Sequence, residues 1–322
     1  MSMKATRHIW HNGDIKPWHE ATTHVMTHAL HYGSSVFEGI RVYAVGGEPC
    51  GFRMREHLQR LYESARVYRM EIPWSLDALY DACRQVVLHN ELSEAYLRPI
   101  AFRGYGSLGV APSEPLPVEV AIGAVEWGAY LGAEARENGA RVCISTWQRV
   151  APNTVPAGAK AGGNYLSSQL ISMEAHRLGY DEGIGLAPDG TLSEGAGENL
   201  FMVKHNVLIT PPQASSILAG ITRDTVMRLA HAMGIEVREQ SLTRESLYLA
   251  DELFFTGTAA EITPIRSVDD IDIGSGGRGP MTKQIQDAFF GLFDGRSEDR
   301  FGWLEPIRPA SGASRRVAHA AA

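Results

Sequence analysis

The chain has 322 residues, of which 44% are hydrophobic and 21% charged, a composition that suits a globular protein of two domains and excludes a disordered or collagenous one. It contains no apolar run of about 18 residues, the length a membrane span needs, and its first residues, MSMKATRHIW, lack the apolar centre of a signal peptide, so a cytoplasmic protein with no membrane partner is expected. Thirty Lys+Arg against 37 Asp+Glu leave a net charge of −7, which argues against nucleic acid as a partner.

In chain order, His8-Ile9-Trp10 followed by Asn12-Gly13 predicts a hairpin. A second strand set, Ser35-Val36-Phe37 to Val42-Tyr43 and Cys50-Gly51-Phe52, flanks Gly46-Gly47, which can supply positive φ in a tight turn. Leu58, Leu61, Ala65 and Tyr68 recur at helical spacing and predict a helix over about 55–69. Ser75 is a good N-cap for a second helix carrying Leu79, Cys83, Val86 and Val87. Strands are expected at about 95–103 and 118–126. The stretch LGAEARENGA at 131–140 reads as a helical turn or an interdomain connection. The expected division is therefore a small N-terminal domain over 1–130, a linker at 131–140, a larger domain over 141–309 and a mobile tail at 310–322. In the second half a strand is predicted at 141–146, a Gly-bounded helix at about 164–178, short strands around Asp189-Gly190 and Pro211-Pro212, and a helix from Thr222 with Val226, Leu229, Ala230 and Met233 on one face.

Three patterns raise chemistry that their context does not support. Gly104-Tyr105-Gly106-Ser107-Leu108-Gly109 matches G-x-G-x-x-G and keeps a nicotinamide-dependent oxidoreductase as an alternative, yet Pro112, Pro115 and Pro117 would break the helix that this fingerprint should open. His24, His28 and His31 would share a helical face and could bind zinc, but the glutamate of H-E-x-x-H is missing, so packing is expected and no metal. Cys50, Cys83 and Cys143 lie far apart without C-x-x-C spacing and read as buried hydrophobes.

Only five of the 30 basic residues are lysine, which shortens the search for a catalytic amine. Lys4, Lys16, Lys204 and Lys283 each have an ordinary surface explanation. Lys160 lies in Pro156-Ala157-Gly158-Ala159-Lys160-Ala161-Gly162-Gly163-Asn164-Tyr165, where small neighbours let a planar partner approach; a desolvated amine there would attack carbonyls as a Schiff-base lysine. A pyridoxal phosphate site also needs an acid against the ring nitrogen, a donor near the ring oxygen and a phosphate cradle. Glu194, expected in a loop just before a strand, can serve as the acid and Tyr165 as the donor. Gly220-Ile221-Thr222, opening a helix, offers free N–H groups and the helix dipole to a phosphate.

These residues resemble the signature of the fold-type IV, or class IV, pyridoxal phosphate aminotransferases: Glu194, Ala196, Asn199-Leu200-Phe201, Leu208-Ile209-Thr210 and Leu218-Ala219-Gly220-Ile221-Thr222-Arg223. Within that class, Ser35 to Arg41 (SVFEGIR), Lys160 to Tyr165 (KAGGNY) and Gly257 to Glu261 (GTAAE) are similar to the bacterial branched-chain amino acid aminotransferases, and the resemblance spans about residues 8–308. It implies an α/β fold in two domains, the smaller N-terminal and the larger a C-terminal pseudo-barrel, with pyridoxal 5′-phosphate between them and at least a homodimer. It implies that Lys160 holds the cofactor covalently, that Glu194 and Tyr165 meet its ring, and that Arg60, Ile221, Thr222 and Thr258 hold its phosphate. Tyr32, Phe37, Tyr96, Trp127 and Tyr130 are implied as the substrate pocket, with the backbone near Thr258-Ala259 and with Arg98, which can take the distal carboxylate of an acidic co-substrate. The implied reaction is ping-pong transfer of the amino group of L-leucine, L-isoleucine or L-valine to 2-oxoglutarate. D-amino acid aminotransferase and aminodeoxychorismate lyase share the fold and remain alternatives.

Overall fold

A computed structural model describes residues 4–111, 114–127 and 132–309. Two sheets divide the chain. The first runs in the order Leu304–Pro306, Glu48–Phe52, Ile40–Val45, Ala95–Arg103, Val118–Val125, His8–His11 and Asp14–Pro17, with Ser35–Phe37 also paired to Ala95–Arg103. The predicted hairpin forms through Asn12 (φ 50°) and Gly13 (φ 101°), both in the left-handed region that a two-residue turn requires. Helices Met54–Val67 and Leu76–His89 cover this sheet, and the second starts as expected, Ser75 Oγ accepting from the Ala78 N–H at 3.2 Å. Leu58, Leu61, Leu79 and Val86 are fully buried beneath them, where truncation of one leucine to alanine costs about 2–5 kcal/mol.

The second sheet runs Leu192–Gly195, Glu182–Leu186, Ala140–Gln148, Glu261–Val268, Glu252–Gly257, Asn199–Lys204, Val207–Thr210 and Val237–Glu239. It mixes parallel pairs, such as Ala140–Gln148 with Glu182–Leu186, and antiparallel ones, such as Asn199–Lys204 with Glu252–Gly257. Helices Tyr165–Arg177 and Ile221–Ala232 pack on it. The change from one sheet to the other falls between Val125 and Ala140, a stretch that includes helix Ala133–Asn138. The proposed tail at 310–322 lies outside the described residues.

Two elements depart from the sequence reading. Strand Leu304–Pro306 pairs with Glu48–Phe52, so this part of the 141–309 segment belongs to the N-terminal sheet: it covers an edge whose backbone groups would otherwise lack partners. Helix Pro280–Asp294 was not expected, because Lys283-Gln284 reads locally as a polar stretch. Its apolar face, Ile285, Phe289 and Leu292, is buried against Phe52, Phe201 and Phe254. Its N-terminus is capped from 30 residues away: the Glu252 carboxylate accepts from the N–H groups of Met281 (2.9 Å) and Thr282 (2.7 Å) and from the Thr282 hydroxyl (2.7 Å).

Candidate active site

The segment carrying Lys160 is short of regular structure and is tied down residue by residue. The Lys160 N–H donates to Ser64 Oγ at 3.0 Å, its carbonyl accepts from the Phe37 N–H at 3.0 Å, and Val36 and Ala161 form an isolated bridge between the two parts of the chain. Asn164 Nδ2 donates to the carbonyls of Pro156 and Ala159, each at 3.0 Å. Gly162 lies so close to Ser35 that a Cβ would come within 2.5 Å of its hydroxyl. The backbone thus fixes where the amine points, and Lys160 Nζ meets the Tyr165 hydroxyl at 2.6 Å.

Two cavities meet at this amine. The narrower holds Lys160, Tyr165, Arg60, Arg149, Glu194, Asn199, Ile221, Thr222 and Thr258. The wider, of about 240 Å³, is walled by Phe37, Tyr96, Trp127, Arg98, Thr258 and Ala259. Lys160, Tyr165, Glu198 and Thr258 border both.

Glu194 stands on strand Leu192–Gly195 rather than in a loop, because Leu192 and Gly195 pair with Leu186 and Ile184. One carboxylate oxygen accepts from Arg149 Nη2 at 2.8 Å; the other accepts from Asn199 Nδ2 at 2.9 Å and the Leu218 N–H at 3.1 Å. Burial pushes the Glu194 carboxyl up, against the pull of Arg149 and the Leu218 N–H. Glu198, buried on the same stretch, is held well above the usual carboxylate range by burial and by neighbouring Glu182.

Arg60 extends from helix Met54–Val67 into the narrow cavity. Its Nε and Nη2 grip the two oxygens of Glu38 at 2.7 and 2.9 Å, and its Nη1 donates to the Ala219 carbonyl at 2.9 Å. His57 Nδ1 also meets Glu38, at 2.7 Å. Burial alone would raise the Glu38 pKa; Arg60 and His57 overcome it and hold this carboxyl far below the usual range. Opposite Arg60, helix Ile221–Ala232 begins at Gly220, which has no side chain to cap it. Its first helical bond runs from the Asp224 N–H to the Gly220 carbonyl at 3.0 Å, so the N–H groups of Ile221, Thr222 and Arg223 have no intrahelical partner.

In the wider cavity Tyr96 stacks on Trp127 with ring centroids 4.8 Å apart, and the Arg98 guanidinium lies over Phe37 at 4.8 Å and over Tyr96 at 5.3 Å. Among the described residues no carboxylate pairs with Arg98. Gly39 leaves room for the Tyr96 phenol: a Cβ there would fall 1.8 Å from its oxygen.

Of the other two residues proposed for the substrate wall, one is not placed there and the other is not described. Tyr130 lies outside the described residues. Tyr32, on helix His28–Tyr32, borders neither cavity; its hydroxyl accepts from the Gly109 N–H at 3.2 Å and the ring is 44% exposed. Conversely, Arg149, Glu38, His57 and Glu198 belong to the site without having been assigned to it. Glu38 stood inside the SVFEGIR motif, and Glu198 beside Asn199, so their positions were readable although their partners were not. Arg149 carries no local signal at all.

The decoy motifs resolve into structure. Gly104 and Gly106 pack against Glu119 and Leu116 with no space for a side chain, and no helix opens at Gly109 among the described residues. His28 is buried, with Nδ1 at 2.7 Å from Ser34 Oγ and Nε2 at 2.9 Å from the Gly109 carbonyl.

Comparison with known proteins agrees with this geometry. The family model described as Amino-transferase class IV matches residues 35–268. The chain is 57% identical over 307 residues to the branched-chain-amino-acid aminotransferase of Escherichia coli (strain K12), covering 95% of this chain and 99% of that one. It is 44% identical over 300 residues to the protein of the same name from Pseudomonas aeruginosa, covering 93% and 97%. A crystal structure of the Escherichia coli branched-chain amino acid aminotransferase superposes with a TM-score of 0.93 at 57% identity, over 94% of this chain and 100% of that one. The branched-chain amino acid aminotransferase from Thermobaculum terrenum in its PLP-form superposes with a TM-score of 0.87 at 35% identity, over 95% and 99%.

The chain therefore belongs to the class IV aminotransferases. It is a transaminase that depends on pyridoxal phosphate. The narrow cavity fits that group on its own terms. It sets an amine, a buried acid and an uncapped helix start around one space, and the Thr256 hydroxyl that borders it is buried with no hydrogen-bond partner among the described residues. Gly197 faces open space there, while a Cβ on Gly220 would come within 2.0 Å of Asn199 Oδ1.

Proposed function

We propose that the protein transfers the amino group of L-leucine, L-isoleucine or L-valine to 2-oxoglutarate, giving the branched-chain 2-oxo acid and L-glutamate. The observation that carries this reading is the second cavity: an apolar aromatic wall of Phe37, Tyr96 and Trp127, with the Arg98 guanidinium beside it and free of any carboxylate among the described residues. A branched aliphatic side chain fills such a wall by burial alone. The distal carboxylate of glutamate or 2-oxoglutarate takes the guanidinium in a bidentate bond, so one cavity admits both substrates. The likeness in sequence to proteins named for branched-chain substrates supports the same reading.

Bound pyridoxal phosphate supplies the electron sink that makes the substrate α-hydrogen acidic. Lys160 would hold the cofactor, and its Nζ, when free, would carry the α-proton. Tyr165, 2.6 Å from that amine, orients it and provides the donor for the ring oxygen. Glu194, fixed by three donors, meets the ring nitrogen. Arg60, Ile221, Thr222 and Thr258 hold the phosphate, and the backbone near Thr258-Ala259 receives the substrate carboxylate.

The working unit in this reading is at least a homodimer in the cytoplasm. Leu166, Leu170 and Met173 recur at i, i+4 and i+7 on helix Tyr165–Arg177 and are all exposed, as are Val25, Leu30, Tyr32 and Val110. Apolar side chains repeated along one helical face call for a covering surface. Tyr32, which does not reach the cavity of its own chain, takes part in substrate binding only from such a neighbouring copy.

The test is the visible absorption of the purified protein, incubated with pyridoxal phosphate and then with L-leucine in the absence of any oxo acid. A band present at first and replaced on adding leucine is the expected result. Lys160→Ala should abolish both the band and turnover; near-normal turnover in that variant, or no response of the wild type to leucine while D-alanine or aminodeoxychorismate reacts, overturns the assignment.

A further inference from the structure

Arg53 precedes helix Met54–Val67 and is 3% exposed, yet no part of the proposed chemistry uses it. Its backbone sits in the left-handed region (φ 51°, ψ 38°), which is uncommon for a side chain of this size and persists only where surrounding contacts impose it. Those contacts converge on one place. Nη1 donates to the Ile221 carbonyl at 3.0 Å and to Thr225 Oγ1 at 2.8 Å, and Nη2 donates to Asp224 Oδ2 at 2.6 Å. Nε is paired with Glu56 on its own helix. The guanidinium lies over the Trp303 ring at 5.2 Å, and the Arg53 N–H donates to the Trp303 carbonyl at 2.9 Å.

Every hydrogen bond that the guanidinium makes beyond Glu56 therefore falls on the start of helix Ile221–Ala232, whose free N–H groups face the narrow cavity. Seven residues after Arg53, on helix Met54–Val67, Arg60 holds the Ala219 carbonyl just before that turn. The two arginines grip the segment at both ends.

We infer that Arg53 is a positioning residue for the phosphate cradle: it fixes the first turn of helix Ile221–Ala232 so that the N–H groups of Ile221 and Thr222 converge on the phosphate. The inference rests on the assignment of that turn to the phosphate under Proposed function. The physical reason is geometric. A planar guanidinium with three donors committed to Ile221, Asp224 and Thr225 orients the turn in a way that the point charge of a lysine does not. Preorganised donors bind an anion more tightly than donors that must be gathered at the moment of binding.

The experiment titrates the full-length protein, freed of cofactor, with pyridoxal 5′-phosphate and separately with pyridoxal, which lacks the phosphate. In Arg53→Met the Kd for pyridoxal phosphate should rise at least about tenfold while that for pyridoxal stays within about twofold, because only the former uses the cradle. Arg53→Lys, which keeps the charge, should not restore the lost affinity. Asp224→Asn keeps the arginine in place and weakens one anchor; it should show the same selectivity at about threefold, and it decides the question if Arg53→Met does not fold. Equal weakening of both ligands, full rescue by lysine, or unchanged binding of pyridoxal phosphate overturns the inference. If the wild type itself binds both ligands alike, the phosphate assignment fails instead; if the wild type discriminates and the variants do so equally well, only the role of Arg53 fails.

Discussion

Arg149 and Glu194 form a buried ion pair in which each partner is anchored elsewhere: Arg149 Nη2 lies 2.8 Å from Glu194 Oε1, and Arg149 Nη1 donates to Ser168 Oγ at 2.8 Å. Arg149 pulls toward the charged form an acid whose burial favours the neutral one.

Replacing Arg149 with leucine removes that counter-charge. The Glu194 pKa, already raised by burial, rises further, which favours the neutral carboxyl and weakens its grip on a protonated ring nitrogen. We expect kcat/KM at pH 7 to fall by about 100-fold, in line with the loss of an electrostatic partner in a buried site. The pH–rate profile checks the cause: the acid limb of the variant should move to higher pH, and an unmoved limb would show that Arg149 does something else.

Arg98→Ala should separate the two half-reactions. Loss of the bidentate partner should lower kcat/KM for 2-oxoglutarate by about 100-fold or more, whereas leucine loses only the stacking on Phe37 and Tyr96 and should fall by less than about tenfold. Steady-state kinetics with each substrate varied decides; equal losses on both sides count against the dual-substrate cavity.

Glu38→Gln disturbs a carboxylate that receives Arg60 and His57 with no exposure to water. Breaking a buried pair of this kind costs about 3–5 kcal/mol, read as a lower denaturation midpoint in urea. The sign of the pH dependence follows from the depressed pKa. The stabilisation is fully present above the ordinary glutamate value of 4.5 and fades as pH falls below it toward the lower folded-state value. The part of the gap between wild type and variant that comes from the Glu38 charge should therefore narrow as pH falls below about 4.5; a gap that does not shrink in strong acid contradicts the assignment.

Gly39→Ala places a methyl group where the Tyr96 phenol lies. Tyr96 must swing or the strand must shift, so the KM for leucine should rise by at least about fivefold with little change in thermal stability, since the overlap is at the far end of a side chain in a cavity. An unchanged KM would show that Tyr96 is not part of the wall.

Much of the site was legible because its residues are clustered in short motifs. Lys160 and Tyr165 are five apart, Glu194 and Asn199 likewise, and Gly220-Ile221-Thr222 opens a helix that its own sequence announces. The strands at 95–103 and 118–125 and the helices from Met54 and Leu76 were readable for the ordinary reason that their apolar residues keep one period. What escaped depends on contacts between distant parts of the chain. Arg149 meets Glu194 across the strand Glu182–Leu186, and nothing in Gln148-Arg149-Val150 says so. Helix Pro280–Asp294 begins on a cap supplied by Glu252, and its polar opening hides the aromatic stripe behind it. Tyr32 was grouped with the other aromatics by resemblance, yet a single chain does not bring it to them.

The pairing of Leu304 with Phe52 brings together residues about 250 positions apart, and such non-local contacts delay folding because the loop must close before they reward it. The backbone of Arg53 is tied to Trp303 in the same place. On the ribosome, then, the first sheet waits: it can collapse early around Leu58 and Leu79, but one edge stays open until Leu304–Pro306 has emerged. Over that interval the exposed strand Glu48–Phe52 is a template for pairing with another nascent chain. A nonsense codon just ahead of Leu304, later in the sequence than every residue lining the two cavities, would leave that edge bare for good.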